Sequence, residues 1–414
     1  MKSNILITTA KEFAKNALQL MTPEDIVLFA IPSGVNFILQ EELAQMTENL
    51  IVAICIFFAA VIGLRLNVAV AIFEIALGAI VGNFLGIKPS PWMNTFADIG
   101  SMLLIFIAGS DIDIPFLKRN YKQIGVMGMA SFIFPFLAIM GYGFYFGHWN
   151  TNMTLLMAIA CSTTSIAVVY PILRDSGMLK QDLGKTLLGV AFLPDFLVTV
   201  ALFVFFTKID LQTAFLIFLL IVSIIATKKV SEGYFFKRFQ GQTSSEIKLR
   251  FIFMILFIMA FISEKGQVHA SLAVFILGIL MSGLMEEKQE TNSKLRAVAF
   301  SIFVPTFYFK AGLLFSFSAV IANYGIIFLI LAIAFGAKFI GIYLTGKKHL
   351  KENTLYGATL MNARLTFGTI AASYGVTHGI INQQYFSILI SVIILASAFA
   401  ILFVGKLPFS HVRE

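Results

Sequence analysis

Apolar segments of about 20 residues follow one another along almost the whole chain, the length at which a helix crosses a hydrocarbon core of about 30 Å. They fall near residues 49–66, 67–86, 93–115, 122–146, 153–173, 183–206, 210–228, 247–263, 268–285, 297–319, 323–345, 353–376 and 386–405. In lipid every backbone N–H and C=O must be satisfied by protein, so such a chain folds as helices or as a closed barrel. The period-two alternation of a barrel is absent. Only 13% of the 414 residues are charged, 58% are apolar and the mean hydropathy is +0.89. The expected fold class is therefore an all-α polytopic membrane protein of about thirteen transmembrane helices. The amphipathic stretch KSNILITTAKEFAKNALQL has no small-residue cleavage site after a compact apolar core, so it does not read as a removable signal peptide.

The net charge of +8 does not point to nucleic acid, because the basic residues sit in short loops rather than on one face. Alternate loops separate by charge. One set carries Arg65, Lys118, Arg119, Lys122, Lys228, Lys229, Lys347 and Lys348 among others, and the opposite set has Lys88, Lys208 and Lys265. The positive-inside rule makes the first set cytoplasmic, so span 1 enters from outside and the C-terminus lies inside. The setting expected is a prokaryotic inner membrane. Cys55 and Cys161 both lie in apolar runs and imply neither a disulfide framework nor a metal site.

Spans 1 to 6 and 8 to 13 begin about 200 residues apart, from 49 and 247 to 183 and 386. Equivalent spans are an odd number of crossings apart, so the second half must run through the membrane in the opposite direction. Two inverted six-helix repeats, 49–209 and 247–405, then flank a linker helix and cytoplasmic loop, 210–246, and a short tail, 406–414, closes the chain. IAGSDI at 107–112 occupies the place in span 3 that KAGLLF at 310–315 has in span 10. Residues 1–48 lie outside the repeat. Within them Ile26 to Gln40 is too short and too interrupted by Pro and Gly for a standard span, leaving an interfacial segment, a re-entrant one or an extra helix.

Against this background the polar residues stand out. Asp195, in GVAFLPDFLVTVALFVFF, lies about 18 Å inside span 6, near the midplane. An unpaired carboxylate there costs about 2.5–3.5 kcal/mol on insertion scales, so it must be paired, hydrated or protonated. Pro194 before it has no N–H and so deprives the carbonyl of Val190 of its helical partner. Lys310 in FYFKAGLLF and Lys338 in AFGAKFIGI reach similar depth, and one of them should pair with Asp195 or neutralise a helix C-terminus. Span 5 gathers Ser162, Thr163, Thr164 and Ser165 at mid-membrane, and its repeat mate, span 12, gathers Asn362, Arg364, Thr366, Gly368 and Thr369. Both read as discontinuous helices, whose unwound backbone lies where transporters place coordinating carbonyls. Hydroxyls and carbonyls are hard ligands suited to alkali cations, and Arg364 is a counter-charge for half-helix ends or an anion-binding residue. Glu74, Asp98, Asp111 and Asp113 lie nearer the membrane edges, and the last two read as ordinary solvated loop residues first and as a cytoplasmic cation funnel second.

These stretches, namely IGSMLLIFIAGSDID, CSTTSIAVVYPILRDSG, LGKTLLGVAFLPDF, PTFYFKAGL, GAKFIGI and LTFGTI in that order, resemble the monovalent cation:proton antiporter superfamily, particularly its NapA-like and Kef-like branch. The resemblance covers roughly residues 49–405 and implies an NhaA/NapA-like fold in a homodimer. A core domain with spans 5 and 12 crossing then moves against a dimerisation domain by an elevator-like cycle. Family members carry the ion-binding aspartate where Asp195 stands, a threonine at Thr163 or Thr164, and a lysine at Lys338, while Lys310 matches a subgroup. Electrogenic members place a second aspartate before the binding aspartate and electroneutral ones commonly asparagine; Pro194 departs from both. One carboxylate carries one proton or one cation, so electroneutral exchange of sodium, with potassium the other candidate, is the expectation. The cation/proton site is Asp195 with Ser162, Thr163 and Thr164, the helix-break backbone is Pro194, Val190, Thr366 and Gly368, and no cofactor is called for.

The rival is a sodium-coupled symporter of a small organic anion held by Arg364. An enzyme is not expected: no HExxH, GxSxG, P-loop or dinucleotide fingerprint occurs, and Asp195 has no acidic partner at the midplane for acid–base work.

Overall fold

A computed structural model describes residues 33–66, 69–110, 114–176, 178, 181–206, 214–215, 218, 221–222, 225, 242–266, 271–286 and 289–404. Asp111, Asp113, most of span 7, the first 32 residues and the C-terminal tail lie outside the described residues. The chain divides into two compact units, Met1–Ile54 and Cys55–Glu414. In the first, the described residues form the beginning of helix α1, Ser33–Leu66, so residues 33–40 of the interrupted N-terminal stretch are helical.

All regular structure among the described residues of the second unit is helical. α2 (Val70–Ile80) runs on through a π-helical turn, Val81–Leu85, and is followed by α3 (Pro91–Ser110) and α4 (Tyr121–Tyr145). Span 5 is two helices, α5 (Thr151–Ser162) and α6 (Ile166–Asp175), before the unbroken α7 (Asp182–Phe206). The second half repeats the order with α8 (Gln242–Gly266), α9 (Ser271–Glu286), α10 (Gln289–Val298) and α11 (Val304–Leu313). α12 (Tyr324–Leu350), α13 (Thr354–Leu360), α14 (Leu365–Thr377) and α15 (Gln383–Val404) complete it. Among the described residues six stretches, Gln45–Leu66, Pro91–Ser110, Tyr121–Tyr145, Asp182–Phe206, Tyr324–Thr377 and Gln383–Val404, are long and apolar enough to cross a membrane. Val70–Leu85, Thr151–Ser162 and Ala273–Ser282 are shorter apolar helices.

Where lipid surrounds the protein, helices gain little by hiding apolar surface and associate instead through close packing at small residues. Two glycine contacts carry this here. At Gly78 on α2 a Cβ would meet the backbone of Phe309 and Gly312 on α11, and at Gly312 it would meet Ile75, Gly78 and Ala79. The same figure recurs between Gly109 on α3 and Gly278 on α9, each of which faces the other's backbone. Gly78 and Gly278, and likewise Gly109 and Gly312, are repeat mates about 200 positions apart. The contact of spans 2 and 10 is thus repeated by spans 9 and 3, as two internal repeats require. Further along, Asn83 on the π turn donates to the carbonyl of Phe315 at 2.7 Å and accepts from the N–H of Phe317 at 3.0 Å. Both chains advance together from the glycine contact to this clamp, so the two helices run parallel.

Gly312→Ala is expected to lose about 1–3 kcal/mol of stability, because the new methyl would stand 2.8 Å from the backbone of Gly78 and of Ala79, neither of which can turn away. Gly325→Ala, with nothing within 4 Å of the added carbon, should leave stability unchanged. Thermal unfolding of the two variants in detergent, followed by size-exclusion profile, checks the contrast.

Candidate functional site

The two broken helices cross at their breaks. α5 ends at Ser162, residues 163–165 are extended, and α6 starts at Ile166; in the second repeat α13 ends at Leu360 and α14 starts at Leu365. The crossing is tied by bonds between repeat mates. Ser165 Oγ lies 2.8 Å from Thr366 Oγ1 and the Thr163 hydroxyl donates to the Arg364 carbonyl at 3.3 Å, each pair 201 positions apart. The Ser165 N–H donates to the Ala363 carbonyl at 2.7 Å, and the Thr164 hydroxyl to that of Met361 at 3.2 Å. Ser162, Thr163, Thr164, Ser165, Asn362 and Arg364 are all fully buried.

A broken helix leaves carbonyls unpaired at one half's end and N–H groups unpaired at the next half's start, with partial charges to match. Three charged side chains meet these needs. The C-terminal carbonyls of α5 receive the cations: Lys338, from α12, donates to Ser162 O at 3.0 Å and to Thr163 O, and Arg364 donates through Nη1 to Cys161 O at 2.7 Å. The anion takes the opposite end. Asp195, 1% exposed on α7, accepts through Oδ1 from the Thr164 N–H at 3.2 Å, just ahead of the N-terminus of α6. Its second oxygen, Oδ2, is buried and has no hydrogen-bond partner.

Thr164 joins the two charges. Its N–H holds Asp195, while its hydroxyl accepts from Lys338 Nζ at 2.8 Å and lies 3.4 Å from Ser131 Oγ on α4. Lys338 and Asp195 therefore share a residue rather than a direct ion pair. An ammonium has three N–H donors. Those of Lys338 match Ser162 O, Thr163 O and Thr164 Oγ1.

Other expected residues sit differently. Lys310 lies away from this cluster and pairs with Asp98 of α3 at 3.5 Å, beside a largely exposed carboxylate. The Ser162 hydroxyl turns back onto Ala158 O of its own helix at 2.6 Å, so only its carbonyl joins the cluster. The break in the second repeat falls at residues 361–364, not at Thr366 and Gly368, which lie in the first turn of α14. Gly368 permits close packing instead: a Cβ there would come 2.9 Å from the Ile393 side chain. Pro194 and Val190 lie within the continuous helix α7, because a helix tolerates one missing donor when neighbours pack around it. Arg364 is a clamp whose two terminal nitrogens are bonded to the protein, while its Nε is buried without a hydrogen-bond partner. Nη2 donates to Ala334 O and to Asn362 Oδ1, both at 2.7 Å. Glu74 on α2 is only 4% exposed.

Ser131 and Ser397 were not singled out from the sequence, although Ser397 Oγ accepts the Arg364 N–H at 3.0 Å. A lone serine in an apolar run more often bonds its own helix, so nothing local marks either one.

A crossing of two broken helices inside inverted repeats, with a buried carboxylate at one half-helix start and cations at another's end, defines a secondary transporter for a small ion. Residues 50–405 match the family model described as sodium/hydrogen exchanger, transmembrane, and the chain belongs to that family. The chain is 26% identical over 356 residues to "Probable Na(+)/H(+) antiporter GerT" of Bacillus cereus, covering 83% of this chain and 94% of that protein. It is 25% identical over 349 residues to "Na(+)/H(+)-K(+) antiporter GerN" of the same species, covering 81% and 89%. The solved sodium proton antiporter MjNhaP1 of Methanocaldococcus jannaschii superposes with a TM-score of 0.62 at 17% identity over 87% of this chain and 99% of that one, a likeness of fold.

Proposed function

We propose that this multi-pass membrane protein exchanges sodium, or potassium, for protons by alternating access, with Asp195 as the shared site. The observation that carries this is the carboxylate itself, buried and held by one backbone N–H through Oδ1 while Oδ2 has no partner. Such an oxygen needs a proton or a cation, and the two exclude each other. Hard oxygens nearby, including the hydroxyls of Thr163 and Thr164, suit an alkali cation. The two Bacillus cereus relatives, named as a probable sodium/proton antiporter and a sodium/proton–potassium antiporter, support the same reading.

The stoichiometry follows from Lys338. With its three donors matched by Ser162, Thr163 and Thr164, the ammonium serves the end of α5 and does not have to discharge when a cation reaches Asp195. One proton then leaves for each cation bound, and exchange is electroneutral. The core carrying the crossing moves against the remaining helices, two protomers associate in the lipid of a prokaryotic inner membrane, and the C-terminus is cytoplasmic, as the loop charges favour.

In proteoliposomes with a pH-sensitive dye, sodium pulses are expected to move protons, and the ranking of sodium, potassium and lithium names the substrate. A membrane-potential dye should stay silent during the same pulses. A sodium-dependent potential would mean that two protons move per cation and would identify Lys338 as the second carrier.

A further inference from the structure

Glu74 is a buried acid that the crossing does not use. It is 4% exposed on α2, and its carboxylate has no hydrogen-bond or ion-pair partner among the described residues. A carboxylate serving as glue between helices needs a donor, and here it lacks one. Its position relative to α11 is fixed by the parallel glycine contact. Glu74 lies four residues before Gly78, and Tyr308 four residues before Gly312, so each sits one turn back on the face where α2 and α11 touch.

Tyr308, 3% exposed, extends this pair to the crossing. Its helix, α11, packs against α14, whose first turn carries Thr366. Thr366 Oγ1 in turn touches Ser165 Oγ, next to the Thr164 that holds Asp195. A row of oxygens, one carboxylate followed by three hydroxyls, thus leads from α2 to the carboxylate on α7. Every group in it is a hard ligand.

We propose that Glu74 and the Tyr308 hydroxyl form a second binding station for the exchanged alkali cation, from which the ion passes along Thr366 and Ser165 to Asp195. The station rests on the reading of Asp195 as the exchange site. Occupancy by a cation supplies the partner that Glu74 lacks. A station that loads the ion ahead of the exchange site sets apparent affinity more than turnover, so its loss appears in KM.

The test is sodium-driven proton movement in proteoliposomes for wild type, Asp195→Asn, Glu74→Gln, Glu74→Asp and Tyr308→Phe, each reconstituted from protein with a wild-type size-exclusion profile. Glu74→Gln is expected to raise the sodium KM about tenfold, with kcat within about threefold of wild type. Glu74→Asp, which keeps the charge, should recover most of the affinity, and Tyr308→Phe should fall between. If Glu74→Gln does not yield folded protein, Tyr308→Phe, which deletes one oxygen, decides in its place. A wild-type KM in Glu74→Gln or in that substitute, or a lower kcat with unchanged KM, overturns the station while a silent Asp195→Asn leaves the exchange site standing. Normal exchange by Asp195→Asn overturns both.

Discussion

Asp195→Asn is expected to silence exchange, leaving less than about 1% of wild-type proton movement in response to sodium. The amide is almost the same shape, and its oxygen can still accept from the Thr164 N–H, which lies 3.2 Å from Oδ1 in the wild type. The fold should therefore survive, and a wild-type melting profile would confirm that it does. What is lost is charge. At 4 Å and an effective dielectric of 20 a unit charge attracts a cation by about 4 kcal/mol, close to a thousandfold in binding. Without it the site binds neither the cation nor a transferable proton. In the wild type, competition for one carboxylate is expected to raise the apparent sodium KM about tenfold for each unit of pH below the range where the site loses its proton. A sodium KM that does not change with pH would mean separate cation and proton sites.

Arg364→Met should have the largest effect on stability. The guanidinium reaches Cys161 O, Ala334 O and Asn362 Oδ1 at 2.7 Å each, joining the end of α5 to α12 and to the second break. Hydrogen bonds between membrane helices average only about 0.6 kcal/mol. Bonds from a charged group are worth about 1.5–3 kcal/mol, and here deletion strands two buried carbonyls. A loss of about 3–5 kcal/mol follows, enough to reduce the yield of folded protein sharply. Arg364→Lys should recover only part of it, since an ammonium does not reproduce the planar fork. Thermal unfolding in detergent and the monodisperse fraction after extraction measure this, and near-normal stability of Arg364→Met would remove the clamp from the account.

Much of the helical order was legible because the membrane imposes a length and a period on each segment. The spans at 93–115, 122–146, 183–206, 323–345 and 386–405 each coincide with a helix to within a few residues. The repeat was legible in IAGSDI and KAGLLF, whose glycines, Gly109 and Gly312, prove to be the small residues at mirrored helix contacts. The breaks in spans 5 and 12 were legible as hydroxyl-rich interruptions, but their limits were not. Thr366 and Gly368 look like breakers, yet they are helical, because the end of a helix depends on what satisfies its last carbonyls.

The sequence by itself determined the fold class, the inverted repeats and the prominence of Asp195, since a charge at mid-membrane is costly wherever the rest of the chain lies. Only the tertiary structure decided which charges meet. Lys310 and Lys338 are equivalent by depth and composition, yet one pairs with Asp98 while the other donates to the end of α5 and to Thr164. Glu74 is buried on the face of α2 where two glycines let its backbone touch that of α11. Depth along a helix can be read from the residue number. The direction a side chain faces, and the carbonyl or hydroxyl it finds there, depends on rotation about the helix axis and on partners about 200 positions away in the chain.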